Sequence, residues 1–105
     1  MSSDNSTKHN QTTKGGSFYY EKDGKKLAEM VYLNAGDHVM VIEHTDVDTS
    51  LQGQGIGKKL LDNLVSYVRE NHIQVIPLCP FARATFEKTP EWQDVLAPIK
   101  VKLKN

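Results

Sequence analysis

Gln52-Gly53-Gln54-Gly55-Ile56-Gly57-Lys58-Lys59 is the stretch on which the fold turns. Three of its residues are glycines, and it stands between two segments of different period. Before it, His38 to Val47 is rich in β-branched and apolar residues and reads as a long strand. After it, Ile56, Leu60, Leu61, Leu64, Val65 and Val68 recur at helical spacing, with Lys58, Lys59, Asp62, Asn63, Ser66 and Arg69 between them. A strand that enters a glycine-rich turn and leaves as a helix builds an anion site. The first N–H groups of the helix have no helical partner, and the helix dipole adds positive potential there. Glycine allows positive φ and takes away the Cβ atoms that would hold a phosphate off.

The neighbouring segments complete the frame. Upstream, Phe18 to Glu21 is an aromatic strand, Asp23-Gly24 a hairpin turn, and Leu27 to Leu33 the returning strand. Asn34 to Asp37 turns the chain into the strand that ends near Val47. These three strands are expected as a meander. Downstream, the helix is expected to end near Glu70-Asn71, with Asn71 suited to a left-handed cap. Ile73 to Ile76 is a short strand that Pro77 stops, because proline has no N–H to give a ladder. Pro80 suits the first turn of a second helix, Phe81 to Lys88, which Thr89-Pro90 closes. Trp92, Val95 and Leu96 are placed to pack back on the core, and Ile99 to Leu103 alternates like a last strand or an extension. Strand–helix–strand implies a parallel pair with a right-handed crossover. The class is therefore α+β: a mixed, mostly antiparallel sheet with one parallel β-α-β unit and helices packed on it.

Composition bounds the function. The 105 residues suit one domain, and thirteen Lys+Arg balance thirteen Asp+Glu. A neutral chain is a poor partner for nucleic acid or an anionic membrane, so neither is expected. Met1 is the only apolar residue before Phe18, and residues 1–16 read as a disordered polar tail ahead of a domain at 17–105. One cysteine and no apolar stretch near the N-terminus point to a reducing, cytoplasmic setting. The four histidines and the single cysteine show no ligand spacing, so no metal is expected.

Three known loops compete for the glycine-rich segment. The dinucleotide fingerprint G-x-G-x-x-G accommodates Gly53 and Gly55 but meets Lys58 at its third glycine. The P-loop pattern accommodates Gly57-Lys58, but Gln52 stands at its first glycine and Lys59 at the hydroxyl that holds magnesium. The third is Q/R-x-x-G-x-G/A, the pyrophosphate loop of the GNAT N-acetyltransferases, and Gln52, Gly55 and Gly57 match it at every defined position. Residues Phe18 to Leu96 resemble the small, single-cysteine branch of that superfamily. The resemblance is carried by Glu43-His44-Thr45 before the loop, Gln52 to Gly57 within it, and Ile76-Pro77-Leu78-Cys79 after the following strand.

The resemblance implies an acetyl-CoA-dependent N-acetyltransferase. Its sheet is splayed between the strand ending near Val47 and the strand Ile73 to Ile76, and the pantetheine arm lies in the split. CoA would then be held by Thr45, Asp46 and Val47 on one side of the split, by Gln52, Gly53, Gln54, Gly55, Ile56, Gly57, Lys58 and Lys59 at the helix tip, and by Pro77, Leu78 and Cys79 on the other side. Lys58 and Lys59 are equally well read as a solvated helix face, and Arg83 reads as a surface arginine with a 3′-phosphate as its other option. Phe81, Phe86 and Trp92 read as core. Cys79 has two readings. It is a small buried hydrophobe, or the thiol beside the acetyl group, able to take it by thioester exchange. His44 is either a hydrogen-bonded structural histidine or the base that takes a proton from the acceptor amine or from Cys79. Backbone N–H groups near Asp46 and Val47 are candidates for an oxyanion hole. The acceptor is an unidentified amine, small and aliphatic or carried by a protein, and a monomer is favoured. Full-length relatives place two helices between their first two strands; here only the Asp23-Gly24 hairpin stands there. A non-catalytic CoA- or acyl-CoA-binding or regulatory module is the alternative, with a module for another nucleotide behind it.

Overall fold

A computed structural model describes residues 7–97. One five-stranded sheet runs in the order β1 (Thr7–Gln11), β2 (Gly15–Lys22), β3 (Lys25–Asn34), β4 (Val39–Val47), β5 (Gln74–Pro77). The first four strands are antiparallel neighbours, and β5 joins β4 in parallel. Helix α1 (Ile56–Glu70) connects β4 to β5, and α2 (Pro80–Lys88) follows β5. The hairpin at Asp23-Gly24 puts both residues at positive φ, 53° and 76°, the geometry that a two-residue turn between twisted strands requires. The α+β architecture expected from the sequence is the one found.

The expected tail is corrected within its described part. Residues 7–16 are not a tail: Thr7–Gln11 form β1, paired from Thr7↔Tyr20 to Gln11↔Gly16. The meander therefore has four strands instead of three. Polar composition misleads here because an edge strand needs only one apolar-facing row. His9 supplies it, stacking on Phe18 at 3.9 Å between ring centres and meeting the Tyr67 ring edge-on at 4.7 Å. A glycine at position 16 makes the approach possible, since a Cβ there would run into the Asn10 carbonyl.

The core lies between one face of the sheet and the helices. From α1 it takes Leu60, Leu61, Leu64, Val65 and Val68, which meet Met30, Tyr32, Met40, Ile42 and Val75 of the sheet. Ala82, Phe86, Trp92 and Val95 extend the same cluster. Phe86 and Trp92 are buried, as the sequence suggests. The alternate residues Glu29, Val31, Leu33, Val39 and Val41 point to the opposite face, and none of them is buried. Leu96 returns beside β5 as a parallel bridge to Val75. The expected final strand, 99–103, lies outside the described residues. The end of α1 also differs from expectation. His72, not Asn71, takes the left-handed conformation (φ 56°), and the Asn71 side chain instead donates to the Tyr67 carbonyl at 2.8 Å.

Two features of β4 prepare the site. Its register against β3 slips by one residue, Tyr32↔Ile42 being followed by Val31↔His44, so Glu43 is a bulge. The parallel pairing to β5 covers only Val39–Ile42, and β4 then runs five residues further, to Val47, without β5 beside it. Pro77 is the last paired residue of β5, opposite Ile42. Beyond it, Leu78 and Cys79 both send their N–H groups to the Ile42 carbonyl, at 3.0 and 3.2 Å, and the chain turns away into α2. The sheet therefore opens between β4 and β5 just past Ile42.

Candidate functional site

The site begins at that opening. The bulge at Glu43 resets the alternation of β4. After Met40 and Ile42, it is Thr45 and Val47 that face the helices, opposite Met30 and Ala28. Across the split, Cys79 caps α2 with Pro80 as its first residue. Its thiol is buried, and Sγ–H donates to Thr45 Oγ1 at 3.4 Å. The two strand ends are thus tied by a thiol–hydroxyl contact on the helical side of the sheet.

The same reset sends His44 the other way. It pairs with Val31 on the opposite face, its side chain is 58% exposed, and Nε2 lies 4.0 Å from Asp46 Oδ2. Glu29, opposite Asp46 on β3, shares this face. Burial pushes the Glu29 carboxyl upward. Hydrogen bonds from Lys26 and Ser17, with the charges of Lys26 and His44, outweigh it and hold the group below its ordinary value. His44 and Cys79, paired by the sequence as candidate catalytic residues, are therefore brought to opposite faces of one sheet and do not touch.

Past Val47 the chain forms a glycine-rich loop that leads into α1. Asp48 caps a single 3₁₀ turn, Thr49–Leu51, accepting from the Ser50 N–H at 3.0 Å and from its hydroxyl. Gln54 closes the loop by donating its N–H to the Leu51 carbonyl and its side-chain amide to the Ser50 carbonyl. Gly53 and Gly55 carry φ of 83° and 76°, which disfavours any residue with a Cβ. The first backbone bond of α1 is Lys59 N–H to the Gly55 carbonyl, at 3.0 Å. The N–H groups of Ile56, Gly57 and Lys58 lie ahead of it, at the positive end of a fifteen-residue helix.

The tip of α1 faces α2 across a cavity of about 570 Å³. Of the residues singled out in the sequence, Val47, Gln52, Gly53, Gly55, Ile56, Gly57 and Lys58 line it. Thr45 and Cys79 stand together at the split. Lys59 and Asp46 are exposed and do not line the cavity, and Gln54 serves the loop itself. Pro77 and Leu78 line a second cavity of about 380 Å³ on the other side of α2, which also takes Arg83. Sequence reasoning missed Leu51, Thr85, Lys88, Thr89 and Glu91 of the first cavity and placed Phe81 in the core. Phe81 is 40% exposed and lies over Gly57, where a Cβ would come within 2.8 Å of its ring. Phe81, Thr85 and Lys88 fall at i, i+4 and i+7. That period marks a helical face but carries no chemical signature. No group of three or more metal-ligating side chains occurs among the described residues.

Comparison with known proteins identifies the family and the fold. The family model of the GCN5-related N-acetyl-transferases matches residues 17–95. The solution structure of a GCN5-like protein from Staphylococcus aureus is 35% identical, with 91% of each chain covered and a TM-score of 0.72. Ribosomal-protein-alanine N-acetyltransferase from Brucella melitensis shares the fold at 19% identity and a TM-score of 0.63, with 75% of this chain and 63% of that one covered. The ribosomal-protein-S18-alanine N-acetyltransferase of Escherichia coli does so at 22% identity and 0.62, covering 74% of this chain and 53% of its own. No curated protein matches the sequence. With a family model spanning most of the chain and a related structure aligned over nearly all of it, this protein belongs to the GCN5-related N-acetyltransferases.

Proposed function

We propose that the protein transfers an acetyl group from acetyl-CoA directly to an amine that arrives on the face of the sheet bearing His44. The observation that carries this reading is the continuity of the site. Thr45 and Cys79 meet where β4 and β5 part, and Val47, two residues on along β4, lines the cavity whose far wall is the tip of α1. The residues present suit an extended thioester carrier. Positive-φ glycines at 53 and 55 leave space in front of the unpaired N–H groups of Ile56, Gly57 and Lys58, and Lys58 adds a cation. When bound, the carrier supplies an activated acyl carbon whose leaving group is a thiol.

The chain's own residues do the rest. The exposed edge of β4 from Glu43 to Val47 offers backbone groups that no β5 residue uses, so the pantetheine amides pair there like a short extra strand. N–H groups near Asp46 and Val47 stabilise the oxyanion as it forms. His44, with Asp46 beside it and Glu29 on the same face, takes the proton of the incoming amine. The nitrogen lone pair attacks the carbonyl carbon, the carbon–sulfur bond breaks, and the thiolate of CoA leaves and is protonated. Cys79 stays a thiol held by Thr45 and shapes the acetyl end of the split. Its separation from His44 supports this direct route over an acetyl-cysteine.

Intact mass after rapid quench with acetyl-CoA tests the route. Unmodified protein is expected, together with turnover of a primary-amine panel that survives in Cys79→Ala. A gain of about 42 Da, one acetyl group in place of a proton, that disappears in Cys79→Ala establishes the covalent path instead. Carrier binding without turnover on any amine or protein removes the enzymatic reading of the site.

A further inference from the structure

The face of α2 that lines the main cavity runs from Phe81 through Thr85 to Lys88, roughly 10 Å of helix leading away from Cys79. Two ammonium groups line this cavity, and they are not equivalent. Lys58 Nζ lies 5.3 Å from the centre of the buried Trp92 ring, which holds its charge against the body of the protein beside the α1 tip. Lys88 is exposed, and among the described residues no carboxylate is in ion-pair range of it. Glu91 lines the same end of the cavity with the opposite charge. Its main-chain carbonyl accepts from Arg69 Nη2 at 2.6 Å, which fixes the segment just past α2. The two other basic residues that the sequence offers near this site are elsewhere: Lys59 is outside the cavity, and Arg83 belongs to the second one.

Coenzyme A as the carrier is the reading on which the role of Lys88 depends. With the thioester at Thr45 and Cys79 and the diphosphate on the α1 tip, both ends of the pantetheine arm are fixed. The cavity beside the α1 tip is walled along α2 as far as Lys88, at the end of the helix away from Cys79. We propose that Lys88 binds the 3′-phosphate of the ribose and so selects coenzyme A over its dephospho form. A phosphate monoester carries roughly −1.5 to −2 charge at neutral pH, enough to draw a flexible, unpartnered lysine. Lys58, pinned over Trp92, serves the diphosphate. Glu91 repels a monoester that strays past α2 and so confines it to the Lys88 side.

Calorimetric titration of the full chain with CoA and with dephospho-CoA tests this. Wild type is expected to prefer CoA by about tenfold. Lys88→Gln, an exposed substitution that leaves the core untouched, is expected to weaken CoA to the level of dephospho-CoA without changing the latter, and Lys88→Arg to keep the preference. If Lys88→Gln weakens both ligands equally, or leaves the preference as it was, the assignment is overturned. If wild type binds neither ligand, the coenzyme A reading fails, and that result differs from a failure at Lys88 alone.

Discussion

Gly55 shows how much one residue decides. Its φ of 76° is required where the loop hands over to α1, and nothing lies within 4 Å of where its Cβ would be. Gly55→Ala therefore meets no clash but must hold a left-handed backbone, at a cost of about 1–2 kcal/mol. Urea unfolding is expected to show that loss, and CoA affinity to fall with it, because Gly55 lines the cavity at the helix tip. Thr45 is a second such position. Thr45→Val keeps the shape and removes the oxygen that accepts from Cys79 Sγ–H. The expected result is a several-fold lower kcat with KM for acetyl-CoA nearly unchanged; a KM effect alone would mean that Thr45 only binds the carrier. Both residues were legible in the sequence as parts of motifs. Their partners were not, because the Thr45–Cys79 contact joins residues 34 apart through a bulge that no local pattern announces.

Among the elements, β1 is the one with a built-in pH dependence. His9 is stacked on Phe18, faces Tyr67, and shares a 2.7 Å hydrogen bond with the Tyr32 hydroxyl. Burial lowers the His9 pKa below its ordinary 6.5. Burial, with the nearby Tyr67, pushes Tyr32 up to about 12, so the phenol stays protonated and shares its hydrogen bond with the ring. Linkage sets the sign. A histidine whose folded pKa is depressed contributes stability that is complete above pH 6.5 and is lost as the pH falls through its folded value. As the pH falls below 6.5, amide protection factors are expected to drop at Thr7–Gln11 before they do in α1, and His9→Phe is expected to abolish that difference. A uniform loss of protection across the sheet would refute the assignment to β1. Helix α1 was readable from six apolar positions at period 3.6, although its left-handed residue fell at His72 and not at Asn71. β1 was not, because its stability comes from partners on β2, β3 and α1 that the polar string Thr-Lys-His-Asn-Gln does not mention.

At the scale of the whole molecule, one core serves both the sheet and the site. Leu64 is fully buried among residues of α1, the sheet and the segments after β5. Leu64→Ala is expected to cost about 3 kcal/mol, a large share of a small domain's stability. Because the core is shared, the loss should appear as a single cooperative transition by both far-UV circular dichroism and tryptophan fluorescence. Ligand acts in the opposite direction. CoA at a hundred times its Kd is expected to add about 2.7 kcal/mol to unfolding, and dialysis to remove it. Backbone amides that shift on titration should cluster at Gly53–Lys58 and at Leu78–Cys79. Shifts confined to the second cavity, beside Arg83 and Leu96, would place the carrier on the wrong side of α2.

By itself the sequence determined the order of elements from β2 through α2, the α+β class, the hairpin at Asp23-Gly24 and the glycine-rich turn into α1. These depend on period, glycine and proline, which act over a few residues. The tertiary structure alone decided where the polar N-terminal strand pairs, which lysines line the main cavity, and that Cys79 and His44 stand on opposite sides of the sheet. That last outcome turns on one extra residue, Glu43, whose bulge flips the side chains beyond it. A strand's alternation can be read from its letters, but a slip in its register becomes visible only when the neighbouring strand lies beside it.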